Sequence, residues 1–393
     1  MSDRPVIVMK FGGTSVADGR GRTALARRVL AAIEAGSAPV VVVSAMGRSG
    51  APYATDTLLG LTEGLPADAR ERDLLASTGE VISAVVVAHE LRGAGVDAVA
   101  FSGADAGIVT DGTAGAAAIT EVHTAALRAA IDAGRVPVVA GFQGVGPDGT
   151  VTTLGRGGSD TSACALGVAL EAEAVEIYTD VDGVMSADPR TCGTAGVLDT
   201  IGAEELFQMA RHGARVVHTP AAELALGSGI PLRVRNTFSD HPGTRVADLR
   251  SYTPAGVATA VSHSGGITRV VVTLPAAEGT TEHMAAQAYI YRTMADVGVS
   301  LDMFTPVGET LVFTVPDAAV DSACDVLDTL GLAHVVTGGL AKVTLIGAGM
   351  HGVPGVMARI AGILGEEGIS IEAIHQKEPA EGDTHVPLVM LSH

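Results

Sequence analysis

Val6-Ile7-Val8-Met9-Lys10-Phe11-Gly12-Gly13-Thr14-Ser15 runs from an apolar strand into a lysine, two glycines and two hydroxyl side chains. Only Lys10, Lys342 and Lys377 are lysines, against 22 arginines, so an ammonium at the end of the first predicted strand stands out. Ammonium is a compact point charge on a flexible stem, whereas guanidinium is a planar fork. Glycines let backbone amides approach a ligand closely, and Thr14 or Ser15 can cap a following helix. Strand, lysine, glycine turn and helix N-terminus together suit a phosphate. The same ten residues also fit an ordinary β-to-α turn with a solvated lysine.

The surrounding composition favours layered α/β structure. The chain has 393 residues, enough for two or three domains, and 47% are apolar, with 3% aromatic and no Trp. Val-rich strands covered by Ala-rich helices have this composition. A net charge of −19 argues against a nucleic-acid or anionic-membrane surface, so an anionic ligand needs local positive charge. Cys164, Cys192 and Cys324 are far apart and odd in number, which reads as reduced thiols. There is no leader-like N-terminus and no uninterrupted apolar run of membrane-spanning length, so the expectation is a soluble, cytoplasmic protein with no membrane partner.

Outward from the opening stretch, helices are expected over 18–35, 58–65 and from Pro66 to His89, the last passing Ser77-Thr78-Gly79-Glu80. Strands are expected over 38–43, 96–101 and 135–140, each spilling into Gly, Ser or Thr. That alternation predicts a mostly parallel sheet, in which ligands gather outside the carboxyl ends of the strands, where Lys10, Ser44, Ser102 and Gly141 fall. Residues 149–154 read as a hairpin arm, 161–170 as a helix, 174–178 as a strand, 204–212 as a helix and 231–236 as a strand. Around 245–263 periodicity fades, placing a linker at 247–263. Beyond it a small βαββ order occurs twice, in 264–335 and 336–393.

Gly155-Arg156-Gly157-Gly158-Ser159-Asp160 is the strongest local signal. Its glycines suit close anion contact at a helix N-terminus, and Arg156 can grip a carboxylate with two parallel bonds. A plain Gly-rich turn with Asp160 as a cap would read the same way. Thr179-Asp180-Val181-Asp182-Gly183 lacks the glycine position and distal Glu of an EF-hand. No Walker A pattern, no GxSxG and no zinc-like histidine spacing occurs, and no metal-ligating set is expected. Gly347-Ala348-Gly349-Met350-His351-Gly352, with Glu372 beyond it, imitates a dinucleotide turn, but too little chain follows for a Rossmann half and its substrate domain.

Taken together, KFGGTSV at 10–16, VVVSAMG at 41–47, STGE at 77–80, VAGFQG at 139–144, TTLGRGGSDTSA at 152–163 and YTDVDGVMSADPR at 178–190 resemble the aspartate kinases. GARVVH at 213–218 and PLRVRNTFSDHPGT at 231–244 extend the resemblance. SLDMF at 300–304 and GVPGVMARIAGIL at 352–364 resemble the ACT modules with which such enzymes sense amino acids. The resemblance implies a three-layer α/β/α amino-acid kinase sandwich over 1–246, followed by α+β ACT-like modules, the second shorter than usual at its C-terminal end. It implies ATP-dependent phosphorylation of L-aspartate to 4-phospho-L-aspartate, with Mg²⁺, on the way to lysine, threonine and methionine. Lys10 and Asp160 would be catalytic; Ser44, Thr55, Glu80, Arg156 and Ser159 would bind aspartate. Lys10, Gly12, Gly13, Thr14, Thr179, Asp180, Met185, Arg190 and Arg215 would hold the nucleotide. A homodimer or larger homo-oligomer and an amino-acid effector at the ACT modules are further implications.

Three departures stand beside the resemblance. Arg215 replaces the usual lysine, and His218-Thr219-Pro220 replaces His-Pro-Arg. The segment from Gln376 to His393 looks more like the end of a homoserine dehydrogenase regulatory module, which leaves the effector open. A kinase for an aspartate-like acid and a non-catalytic amino-acid sensor on the same fold are the alternatives.

Overall fold

The structure, a computed structural model, describes residues 4–66, 68–211, 219–247, 256–275, 278–350, 353–377 and 386–392. Two compact units result, the first holding the elements up to Ala247 and the second those from Ala260 onward.

In the first unit, β1 (Val6–Phe11) leads through the single turn α1 (Gly13–Val16) to α2 (Gly19–Glu34) and β2 (Ala38–Val43). Then come α3 (Thr55–Gly60), α4 (Ala69–Gly93), β3 (Ala98–Phe101), β4 (Ile108–Thr110), β5 (Ile119–Val122), α5 (Ala125–Asp132) and β6 (Val136–Ala140). The hairpin β7 (Gln143–Val145) and β8 (Val151–Thr153) precedes α6 (Gly158–Ala169) and β9 (Ala174–Thr179). The unit closes with β10 (Thr200–Gly202), α7 (Ala203–Arg211), α8 (Thr219–Gly227), β11 (Leu232–Asn236) and β12 (Thr244–Ala247). Eight strands form one sheet in the order β10-β12-β11-β9-β1-β2-β6-β3, in which only the β11–β12 pair is antiparallel. A small side sheet has the order β5-β4-β7-β8.

β1 sits where the chain order reverses, with β2 on one side and β9 on the other. Such a switch point opens a crevice beyond the strand's carboxyl end. Strand alternation then decides what faces where. Met9 and Phe11 join Val41, Val43, Val138 and Ala140 in a core closed by α2 and α4. Lys10, between them, points to the opposite face, where α6 packs on β1 and β2. These are the three layers that the resemblance implies.

The 25-residue α4 is long and apolar enough, by composition, to cross a bilayer. Yet Asp73, Ser77, Glu80 and Ser83 are buried along it within the fold, which makes it a core helix.

Two local expectations change. Neither Thr14 nor Ser15 caps a helix; α1 is capped by the backbone of Gly12 alone, and Asp18 caps α2 by accepting from the Gly21 amide. The Ser15 hydroxyl instead meets the Thr237 hydroxyl at 2.7 Å in the interior. α6 starts at Gly158, earlier than its apolar period suggests, so Asp160 lies in its first turn and not at its cap.

The second unit is a single six-stranded sheet. β13 (Ala260–Thr273), α9 (Thr281–Asp296), β14 (Asp302–Val307), β15 (Thr310–Pro316) and α10 (Val320–Thr329) make one βαββ set. β16 (His334–Ile346), α11 (Val356–Glu366), β17 (Ile371–Lys377) and β18 (Val386–Ser392) make the other. The order β14-β15-β13-β16-β18-β17 reads the same from either end, with antiparallel β13 and β16 at its centre. Two ion pairs obey the same pseudo-two-fold: Asp302 of β14 holds Lys342 of β16, and Glu372 of β17 holds Arg269 of β13 at 2.7 Å. β13 opens at Ala260, within the stretch 247–263. Gly347 and Gly349 serve chain packing: a Cβ would come within 2.5 Å of Val257 O and 2.2 Å of Gly256 O respectively. His351 and Gly352, the rest of that turn, lie outside the described residues.

Candidate active site

The loop after β1 is clamped from both sides. The Gly12 amide donates to Tyr178 O at 3.3 Å and the Gly47 amide to Gly13 O at 3.0 Å, while the Ser44 amide donates to Phe11 O at 3.1 Å. A Cβ on Gly13 would lie 2.4 Å from Gly47 O and 2.8 Å from Ala45 O, so this glycine is a steric requirement. The two loops leaving β1 and β2 therefore pack backbone to backbone and form one wall of a cleft of about 560 Å³.

The cleft brings together Lys10, Gly13, Ser44, Thr55, Glu80, Arg156, Ser159 and Asp160, residues spread over some 150 positions of sequence. Lys10 Nζ lies 2.7 Å from Asp160 Oδ1, and both side chains are nearly buried. α6 supplies the carboxylate because Gly157, at φ 74°, turns the chain into the helix one residue ahead of Gly158. Gly158 must lack a side chain too, since a Cβ would meet Leu154 and Phe142 at 2.9 Å. Phe142, another lining residue, has φ 70°, a left-handed value uncommon for a side-chain-bearing residue. Arg156 is exposed on this loop and, among the described residues, makes no ion pair or hydrogen bond.

Glu80 enters from α4. Its Oε1 accepts the Ala45 amide at 3.0 Å, and its Oε2 is buried without a hydrogen-bond partner among the described residues. Burial pushes its carboxyl up to about 7, against the downward pull of the Ala45 amide and of Lys10. A buried acceptor with nothing to accept carries a cost that a ligand's donor removes.

The remaining expected residues form a second group at the adjacent strand end. Thr179 and Asp180 terminate β9, and the Thr179 hydroxyl donates to Asp180 at 3.2 Å. Met185 bridges to Val197, and exposed Arg190 folds back on Asp188 at 2.6 Å. Gly12 caps α1 and Thr14 lies within it, and neither lines the cleft described above. Arg215 and His218 lie outside the described residues. Arg48, absent from the sequence-based set, lines the cleft and reaches Asp180 at 2.8 Å, joining the two groups. Its position one residue beyond the β2 strand-end glycine was the only signal for it. Chemically, Arg156 is open to an anion and Glu80 to a cation, while Lys10 and Arg48 enter the cleft paired with Asp160 and Asp180.

The model of the amino acid kinase family matches residues 5–236, and that of the ACT domain matches residues 343–378. Aspartokinase 1 of Bacillus subtilis (strain 168) is 40% identical over 99% of this chain and 95% of its own length. The aspartokinase of Mycobacterium tuberculosis (strain ATCC 25618 / H37Rv) is 40% identical over 95% of this chain and 90% of its own. Among solved structures, E. coli aspartokinase III in complex with aspartate and ADP superposes with a TM-score of 0.75 at 26% identity, covering 98% of this chain and 96% of that one. The same enzyme in complex with lysine and aspartate gives 0.77 at 27% identity, with the same coverage.

Proposed function

The chain belongs to the amino acid kinase family, in its aspartokinase branch, and on that footing we propose that it phosphorylates the side-chain carboxylate of L-aspartate with ATP. A carboxylate oxygen forms a bond to the γ-phosphorus as the bond from that phosphorus to the bridging oxygen breaks; 4-phospho-L-aspartate and ADP leave. The acceptor, with a reference pKa of about 4, is already ionised at neutral pH and needs no general base. The difficulty is electrostatic, because one anion must approach another.

Arg156 takes a carboxylate of aspartate, and Glu80 takes its ammonium. Ser44, Thr55 and Ser159 offer hydroxyls along the same wall. Lys10 and the amides around Gly12 and Gly13 hold the transferring phosphoryl group, and Asp160 orients the Lys10 ammonium. Thr14, Thr179, Asp180, Met185, Arg190 and Arg215 belong to the nucleotide side. Among the described residues no group of three or more carboxylates, histidines or cysteines could hold a metal. Mg²⁺ enters with the phosphates of ATP, whose charge it partly neutralises. Residues 1–246 are the catalytic region. Residues 247–263 link it to two ACT-like modules at 264–335 and 336–393, which bind an amino-acid effector and help assemble a homo-oligomer.

The observation that carries this reading is the pairing, in one cleft, of an unpartnered guanidinium with a buried carboxylate oxygen lacking a donor. An α-amino acid's carboxylate and ammonium complete both. Hydroxylamine trapping of the acyl phosphate with ATP and L-aspartate tests it. Hydroxamate is expected with aspartate; its absence with aspartate but presence with an analogue acid would move the substrate, and its absence with every acceptor would overturn the reaction. Lysine, threonine, methionine and diaminopimelate in the same assay identify the effector.

A further inference from the structure

Asp73 lies outside the cleft, yet it is one of the most thoroughly hydrogen-bonded carboxylates of the chain. It is 3% exposed and, among the described residues, pairs with no cation. Its Oδ2 accepts the Thr153 amide at 2.9 Å and the Gly115 amide at 2.9 Å. Its Oδ1 accepts the Thr153 hydroxyl at 2.7 Å and shares the Gly115 amide at 3.1 Å. Every contact is a donor aimed at a carboxylate; an amide side chain would lose the charge and the second Gly115 contact, and would keep the Thr153 hydroxyl only by turning it into an acceptor.

The elements so joined belong to opposite sides of the ligand site. Asp73 and Glu80 are seven residues apart on α4, two turns and thus on one face, about 10 Å along the axis. Thr153 ends β8, and the chain runs straight on through Leu154 and Gly155 to Arg156. Gly115, the other partner, sits beneath the same loop: a Cβ on Gly155 would lie 3.1 Å from Gly115 O. The Ala117 amide donates to Thr153 O at 2.9 Å, and the Gln143 side chain donates to Ser77 O of α4 at 2.9 Å. One helix thus carries the carboxylate that faces the ammonium and also anchors the loop that carries the guanidinium.

We propose that Asp73 is a positioning residue for the amino-acid substrate: by fastening Thr153 and Gly115 to α4 it fixes the separation between Glu80 and Arg156, the two groups that take the substrate's ammonium and carboxylate. This rests on the reading of the cleft as the aspartate site. A span set by a rigid tie keeps both groups placed to grip the substrate at once, so loosening it weakens substrate binding more than nucleotide binding.

Steady-state kinetics on the full chain test this, with wild type, Asp73→Asn, Thr153→Val and Thr153→Ser. Asp73→Asn is expected to raise the KM for aspartate at least tenfold and to leave the KM for ATP within twofold. Thr153→Val, which deletes one donor and keeps the shape, is expected to raise the aspartate KM several-fold, and Thr153→Ser to restore it. Should Asp73→Asn not fold, the Val and Ser pair decides alone. A lowered melting temperature with both KM values unchanged would overturn the positioning role while leaving the reaction intact. Absence of acyl phosphate from the wild type itself would overturn the reaction and this proposal together.

Discussion

Glu80 holds its place at a cost that depends on pH. Its carboxyl is pushed up to about 7, well above the ordinary 4.5, so in the free protein it is protonated below that value. Only the ionised form can receive an ammonium. The KM for aspartate should therefore rise about tenfold per pH unit below about 7 and level off above it. Glu80→Gln should bind aspartate poorly and lose that pH dependence; a profile that stayed the same in the variant would remove Glu80 from substrate binding. The sign for stability is opposite. A raised folded-state pKa favours the fold below 4.5 and works against it as pH rises through 7, so Glu80→Gln should be more stable than wild type at pH 8, by up to about 3 kcal/mol. Urea unfolding at about pH 5 and about pH 8 measures the difference. Lys10→Ala should lower kcat by about 10²–10³-fold, the usual loss for one preorganised charge donor. Circular dichroism separates that loss from unfolding, and near-wild-type turnover would end the assigned role.

At the scale of elements, one wall of the site is made by two loops joined through backbone hydrogen bonds. Gly13→Ala must move Gly47 or Ala45, neither of which can rotate away, so it should destabilise the first unit by about 1–3 kcal/mol and abolish acyl-phosphate formation. Gly12→Ala is the control for stability, because a Cβ there meets nothing closer than 3.8 Å. A Gly13→Ala protein with normal activity would contradict the clamp. These loops were legible in the sequence, since Lys10, Ser44 and Gly141 each follow a run of strand-forming residues. The joint role of Lys10 and Asp160 came from the resemblance alone, since no spacing rule joins residues so far apart in the chain. The short strands β4, β5, β10 and β12 were not legible: three or four residues give no period, and their pairing partners decide them. The first half of β13 was hidden for the same reason. Ser262-His263-Ser264 has weak strand propensity and is extended because β16 pairs with it, Ser262 opposite Thr344, and the ladder shifts register at Gly265-Gly266. The role of Asp73 was not legible either, because its partners Gly115 and Thr153 are 42 and 80 residues away and donate largely through backbone amides.

Against a net charge of −19, the cleft balances Lys10, Arg48 and Arg156 with Asp56, Glu80 and Asp160, so its cations act at short range and not through the global field. The second unit is held together differently. Because its two βαββ sets share the β13–β16 pair, neither has a free inner edge, and the amides of both central strands should exchange with solvent as one cooperative group. Hydrogen exchange read by mass spectrometry would show two separate rates if the sets opened independently. The mirrored strand order has a manufacturing consequence as well. A shortened chain ending between Ala333 and His334 would strip β13 of its partner and leave a long, unprotected strand flank, open to pairing with any neighbouring chain. The single regulatory half would be harder to keep in solution than the joined pair, and the two halves are best understood as inseparable in expression as in folding.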